Sequence, residues 1–228
     1  MIPLKDRNPR YSTPFVTILL IVANSLVFLF QVSLGPRVGE QFAFVYGMVP
    51  ARIEWAIARP DVTMGDALVP LLTSMFLHGG WLHVIGNMWF LWIFGDNVED
   101  RLGHLRYMLF YLVCGVGSGV IHTVFNLGSS LPAVGASGAI SGVLGAYLML
   151  FPRSRVLTLI PLFVFFFTVE LPAIILLGYW FLIQAFSGIA SLGVRQSGGV
   201  AWWAHIGGFA LGFLLVRMFR PSRRVVYL

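Results

Sequence analysis

Six apolar runs divide the chain, and its polar residues gather between them instead of alternating with them. Runs at 14–32, 81–98, 107–125, 136–151 and 200–219 each read as a membrane-crossing helix, since a bilayer core asks for roughly 20 apolar residues. The fourth of these, about 16 residues, is short. The stretch 156–186 is harder: its 31 residues are too many for one crossing and too few for two. Glu170-Leu171-Pro172 divides it. A carboxylate is costly at mid-membrane, and proline belongs in the first turn of a helix. The fifth span is therefore predicted to start near Glu170, with 156–165 lying along the inner interface. Segment 33–80 mixes Arg37, Glu40, Arg52, Glu54, Arg59, Asp61 and Asp66 with aromatic and aliphatic residues. It is too polar to span and too apolar for a free linker, so interfacial or partly re-entrant helices are expected there. Gly103 closes the charged "GDNVEDRLG", where a helix C-terminus favours positive φ. The predicted architecture is all-α: a polytopic membrane protein of six helices, with a long interfacial loop after the first span. It forms one domain over 1–228, with short tails at about 1–12 and 220–228.

Composition agrees with this pattern. Hydrophobic residues make up 58% of the chain and charged residues 11%, with a mean hydropathy of +0.85; soluble domains carry about 25% charged residues. The net charge of +6 reflects orientation. With the N-terminus inside, Lys5, Arg7, Arg10, Arg101, Arg106, Arg153, Arg155, Arg217, Arg220, Arg223 and Arg224 fall on the inner side. That is eleven against four outside, namely Arg37, Arg52, Arg59 and Arg195, which places both termini in the cytoplasm by the positive-inside rule. The lack of a soluble basic module argues against nucleic acid as a partner. The single cysteine, Cys114, lies in an apolar run and reads as packing.

The second, fourth and sixth spans all enter from the outer side, and this brings four polar groups to similar depth. His83 and Asn87 fall in the first two turns of the second span, i and i+4 on one face. Ser137 opens the fourth, and His205 lies about five residues into the sixth. At 1.5 Å per residue they sit roughly 0–10 Å below their helix starts. Polar groups in spanning helices face the bundle interior and need partners, so interhelical hydrogen bonding is one reading. The glycines favour another. Gly138 and Gly142 on the fourth span, and Gly208 and Gly212 on the sixth, let backbones approach closely, which would bring Ser137 and His205 into contact.

Such a pair does nucleophilic chemistry. A serine hydroxyl needs a base to take its proton, and neutral histidine suits that near pH 7. Acyl transfer also needs donors for the oxyanion; His83, the Asn87 amide and the first backbone N–H groups of the fourth span are candidates. Glu170 is expected at the opposite side of the membrane, so no acidic residue is placed to orient His205, and a dyad is expected. Ser74, His78, Ser141 and Asn87 are candidates to hold water near Ser137. The glycine-rich stretch 187–199 reads either as an ordinary loop or as a mobile cap. His122 reads as a packed histidine and His104 as a solvated one. Metal binding by His78, His83 and His205 is disfavoured, because i, i+5 spacing splits the first two across helix faces.

Three motifs together resemble the rhomboid family of intramembrane serine proteases. "HGGWLHVIGN" fits its His-x4-His-x3-Asn pattern at His78, His83 and Asn87, "GASG" its Gly-x-Ser-Gly pattern at Ser137, and "AHIGGFALG" its Ala-His-x2-Gly-x3-Gly pattern at His205. "VEDRLG" and "FPRSRV" are similar to bacterial members. The resemblance covers about residues 10–220 and implies a six-span, rhomboid-like bundle. It implies Ser137 as nucleophile, His205 as general base and then acid, His83 and Asn87 at the oxyanion, and His78 in support. The implied activity is hydrolysis of peptide bonds in or near transmembrane segments of other membrane proteins, without cofactor. The implied location is the bacterial plasma membrane. The rival readings are a catalytically silent relative that binds transmembrane clients, and a channel or transporter. The one-sided distribution of polar groups argues against the latter.

Overall fold

The computed structural model describes residues 1–162, 164–192 and 200–219. The first apolar run forms α1 (Phe15–Ser33), which buries one stripe containing Val16, Leu20, Asn24, Phe28 and Gln31. Ile18, Leu19, Val22, Leu26 and Leu29 stay exposed. A helix apolar all round with one buried stripe is what a bundle in hydrocarbon requires, since lipid covers the remainder. The mixed segment folds into short helices: α2 (Gly35–Tyr46), α3 (Arg52–Ala58), α4 (Met64–Leu68), α5 (Pro70–Thr73) and a 3-10 turn at Ser74–Phe76. Arg52 is buried and ties these together by donating to the carbonyls of Phe44, Val45 and Gly47.

The bundle continues with α6 (Trp81–Leu102), α7 (His104–Phe125) and α8 (Ser137–Leu150). Gly103 takes a φ of +79° between α6 and α7, as its position predicts. After two strands come α9 (Ala173–Ser191) and α10 (Trp202–Phe219). Among the described residues α1, α7, α9 and α10 are each long and apolar enough to cross a membrane, and α6 makes a fifth when joined to Met64–Phe76 across a 77° bend. At 14 residues α8 falls short of a full crossing by length. The expected six crossings thus stand at four or five by this criterion, with α8 the remaining apolar helix.

The stretch expected to lie flat on the inner interface instead forms a hairpin. Strands β2 (Arg155–Leu162) and β3 (Phe165–Pro172) pair antiparallel, and β1 (Ile2–Asp6) adds to the far side of β2 in the order β1-β2-β3. Residues rich in β-branched and aromatic side chains suit a pleated surface, and pairing satisfies backbone groups that a lone interfacial segment leaves open. The residues read as an N-terminal tail therefore include a strand, while 220–228 lie outside the described residues. Arg7 Nε donates to Glu170 Oε1 at 2.9 Å across the edge of this sheet.

Polar side chains anchor the sheet and α1 to the bundle. Trp89 of α6 donates to the Pro3 carbonyl at 2.7 Å. Asp6 accepts from Asn97 at 2.9 Å and from the Tyr147 hydroxyl at 2.8 Å. Glu99, fully buried, accepts from the backbone N–H groups of Val16 at 2.9 Å and Thr17 at 2.8 Å. It thereby satisfies donors that a helix N-terminus leaves unpaired. His104, expected to be solvated, is half-exposed and reaches Glu99 at 2.6 Å.

Burial pushes the Asp6 carboxyl up to about 6 and outweighs its hydrogen bonds from Tyr147, while nearby Asp96 adds in the same direction. An unfolded aspartate titrates near 3.9. Between those values the folded chain holds the extra proton, so stability falls as pH rises through about 4 to 6 and is level above. The thermal midpoint in detergent is expected to decline across that window, and Asp6→Asn to flatten the decline. An unchanged slope in the variant would assign it to another group.

Candidate active site

The site is built where α8 begins. The preceding loop is held by an antiparallel bridge between Met48 and Ala133, and by the Gly135 N–H donating to the Ser74 carbonyl at 2.9 Å. Gly135 has a φ of +131°, a conformation that side chains rarely adopt. A Cβ there would also stand 2.7 Å from His83 Nε2 and 3.6 Å from Asn87 Nδ2. Glycine at 135 thus lets the chain pass directly over the imidazole and amide of α6 two residues before Ser137.

α8 and α10 meet backbone to backbone. A Cβ on Gly208 would strike the Gly138 carbonyl, one on Gly212 the Gly142 backbone, and one on Gly145 the Phe209 carbonyl. This close seam sets the register of the two helices. His205 Nε2 lies 2.8 Å from Ser137 Oγ. The other imidazole nitrogen, Nδ1, lies 2.7 Å from Gln184 Oε1 on α9. The ring packs near Trp180 and Trp202, with centroids at 6.0 and 6.3 Å.

Ser137 and His205 open onto a cavity of about 640 Å³, also lined by His83, Asn87, His122, Ser141 and Trp180. The Gly79 N–H points at His83 Nδ1 at 3.4 Å. The neutral ring then carries its proton on Nε2, the nitrogen that faces Gly135. Asn87 Nδ2 is buried with no hydrogen-bond partner among the described residues. A buried donor without a partner costs free energy, so this amide is poised for an acceptor in the cavity. Ser141 Oγ donates to the Ser137 carbonyl at 2.6 Å, tightening the first turn of α8.

His78 is placed behind this group. Its backbone N–H donates to Gln31 Oε1 at 3.0 Å and its carbonyl accepts from Gln31 Nε2 at 3.3 Å. Its ring stands edge-on to His83, centroids 5.2 Å apart. It packs the His83 ring without lining the cavity, and Ser74 likewise lies off the cavity wall. Of the four residues expected to hold water, Ser141 and Asn87 are the ones that face it. His122 is buried as expected, yet it lines the cavity as well. Of the stretch 187–199, residues up to Ser191 continue α9, and 193–199 lie outside the described residues. Cys114 packs against Gly142 in the core, in line with its reading from sequence. Sequence reasoning missed Gln184. The signal was a carboxamide well inside an apolar span, where a polar side chain needs a partner.

Residues 66–222 match the family model described as the Rhomboid domain. RHOMBOID-like protein 4 of Arabidopsis thaliana is 36% identical over 168 residues, covering 70% of this chain and 36% of that protein. RHOMBOID-like protein 6, mitochondrial, from the same plant is 34% identical over 165 residues, covering 71% and 48%. Rhomboid protease GluP of Bacillus subtilis is 34% identical over 143 residues, covering 63% and 24%. The chain therefore spans half or less of the length of these relatives. With a family match over most of its length and apolar helices around a buried polar cluster, this integral membrane protein belongs to the rhomboid family.

Proposed function

We propose that this chain is an intramembrane serine endopeptidase that cleaves transmembrane segments of other membrane proteins through Ser137 and His205. The observation that carries the reading is the 2.8 Å contact between Ser137 Oγ and His205 Nε2 at the wall of the cavity. The name of the Bacillus relative, a rhomboid protease, agrees with it. In the proposed reaction His205 Nε2 takes the hydroxyl proton as Ser137 Oγ bonds to the scissile carbonyl carbon. The oxyanion that forms is met by Asn87 Nδ2, His83 Nε2–H and the N–H groups opening α8. As the intermediate collapses the C–N bond breaks, and the proton on Nε2 passes to the departing amine. Water then repeats the sequence on the acyl-enzyme, releasing the carboxylic acid and restoring Ser137. His78 supports His83 by packing. The reading treats 1–228 as one catalytic domain with both termini cytoplasmic, in the plasma membrane of a bacterium.

Labelling by a serine-reactive phosphonate in detergent tests this. The adduct is expected on Ser137 by mass spectrometry, alongside cleavage of a helix-destabilised transmembrane substrate. A folded protein that neither labels nor cleaves is instead a catalytically silent binder of transmembrane clients. The oxyanion assignment has its own test. Asn87→Ala is expected to lower kcat by about 10²-fold with little change in KM, as for the loss of one oxyanion donor. An unchanged kcat removes Asn87 from the site.

A further inference from the structure

Gln184 is the buried polar residue of α9, and the proposed reaction leaves it without a role. Most of α9 faces outward; its buried positions are Ala173, Leu176, Leu177, Gln184 and Gly188. A carboxamide with 6% exposure inside an apolar helix is unfavourable unless its polar atoms find partners. It finds one in the imidazole: Gln184 Oε1 lies 2.7 Å from His205 Nδ1. The contact belongs to a stripe spaced by four residues. Trp180 packs by the His205 ring, and a Cβ on Gly188 would come within 2.8 Å of Ile206 Cδ1. One face of α9 is thus fitted around His205 and its neighbour in sequence.

The chemistry of the amide determines what this contact does. A carbonyl oxygen accepts and does not donate. Nδ1 must therefore carry the hydrogen, and in a neutral imidazole Nε2 is then left with its lone pair. That lone pair faces Ser137 Oγ, 2.8 Å away. Resting on the serine-protease reading above, the geometry points to Gln184 as a third, positioning residue that holds His205 in the tautomer and orientation able to accept the Ser137 proton. It takes the place that a buried carboxylate holds in soluble Ser–His–Asp enzymes. Because the acceptor sits on α9 while Ser137 and His205 sit on the glycine-locked pair α8 and α10, base alignment depends on α9 staying docked against α10.

The test uses the full chain in detergent with the same transmembrane substrate. Gln184→Met keeps length but offers no comparable acceptor, and is expected to lower kcat at least about tenfold with KM nearly unchanged. Gln184→Glu returns an acceptor at the same reach and is expected to recover most of the lost turnover. A merely structural side chain would not show that split and that rescue. In wild-type protein labelled with ¹⁵N-histidine, the neutral His205 ring is expected to carry its proton on Nδ1. A folded Gln184→Met variant with wild-type kcat, a Glu variant as impaired as the Met variant, or a wild-type ring protonated on Nε2 overturns the inference. The ¹⁵N measurement decides the matter even if neither variant folds. Wild-type protein whose Ser137 is neither labelled nor active overturns the protease reading itself, and this inference with it. A cleaving wild type beside an unimpaired Met variant overturns this inference alone.

Discussion

His205→Ala is expected to reduce kcat by about 10⁴-fold or more, and the double variant with Ser137→Ala is expected to be no slower than either single one. The two side chains act as a unit. Without the imidazole the Ser137 proton has no acceptor, and without the hydroxyl the imidazole has nothing to activate, so their losses do not add. Residual turnover would come from Asn87, His83 and the α8 N-terminus, which stay in place. Phosphonate labelling gives an independent readout, since it needs the activated oxygen but not a bound transmembrane substrate. His205→Ala protein that labels at the wild-type rate would mean that Ser137 draws its reactivity from another group. Additive losses in the double variant would mean that the two residues work separately.

The second large effect is expected at Gly212, far from any proton transfer. Its added Cβ would meet the Gly142 carbonyl and Cα of the facing helix. Backbone cannot yield as the end of a side chain can. Overpacking costs about 1–3 kcal/mol even where side chains are able to move, so Gly212→Ala is expected to lose at least that. The variant is expected to show a lower thermal midpoint and weak labelling of Ser137, because the widened α8–α10 seam carries His205 away from the hydroxyl. Gly178→Ala provides the contrast. Among the described residues nothing lies within 4 Å of a Cβ at that position in α9, and alanine is the better helix former by about 1 kcal/mol. It should be neutral or stabilising. Equal behaviour of the two variants would remove the close seam as the device that sets the Ser137–His205 distance.

What could be read from the chain follows from the range of each signal. The apolar runs stand out because hydrocarbon demands them over roughly 20 consecutive residues, and α1, α6, α7, α8 and α10 begin within three residues of the expected starts. The approach of Ser137 to His205 is legible in the chain because glycines at four-residue spacing accompany both. The sheet was not legible. In β3 the run Phe165–Val169 is exposed on both faces, so no period of two marks it as a strand, and a short apolar run is ambiguous between strand and helix. β1 has only five residues, and its partner lies about 150 positions away. Gln184 was missed for a different reason. One amide on an apolar helix does not reveal which face of α9 turns inward, and only packing against α10 settles that. His122 shows that burial and access to a cavity are compatible.

The pairing of β1 with β2 also bears on how the protein is made. A ribosome adding about 5–20 residues each second needs on the order of 10 s to travel from Asp6 to its ladder partner Val156. Throughout that interval the opening strand has unpaired edges, and Asn97 of α6 and Tyr147 of α8 near their C-terminal ends wait beside an Asp6 that β2 does not yet hold. Closure of this sheet is therefore a late event in biogenesis, one that cannot precede synthesis of α1, α6, α7 and α8.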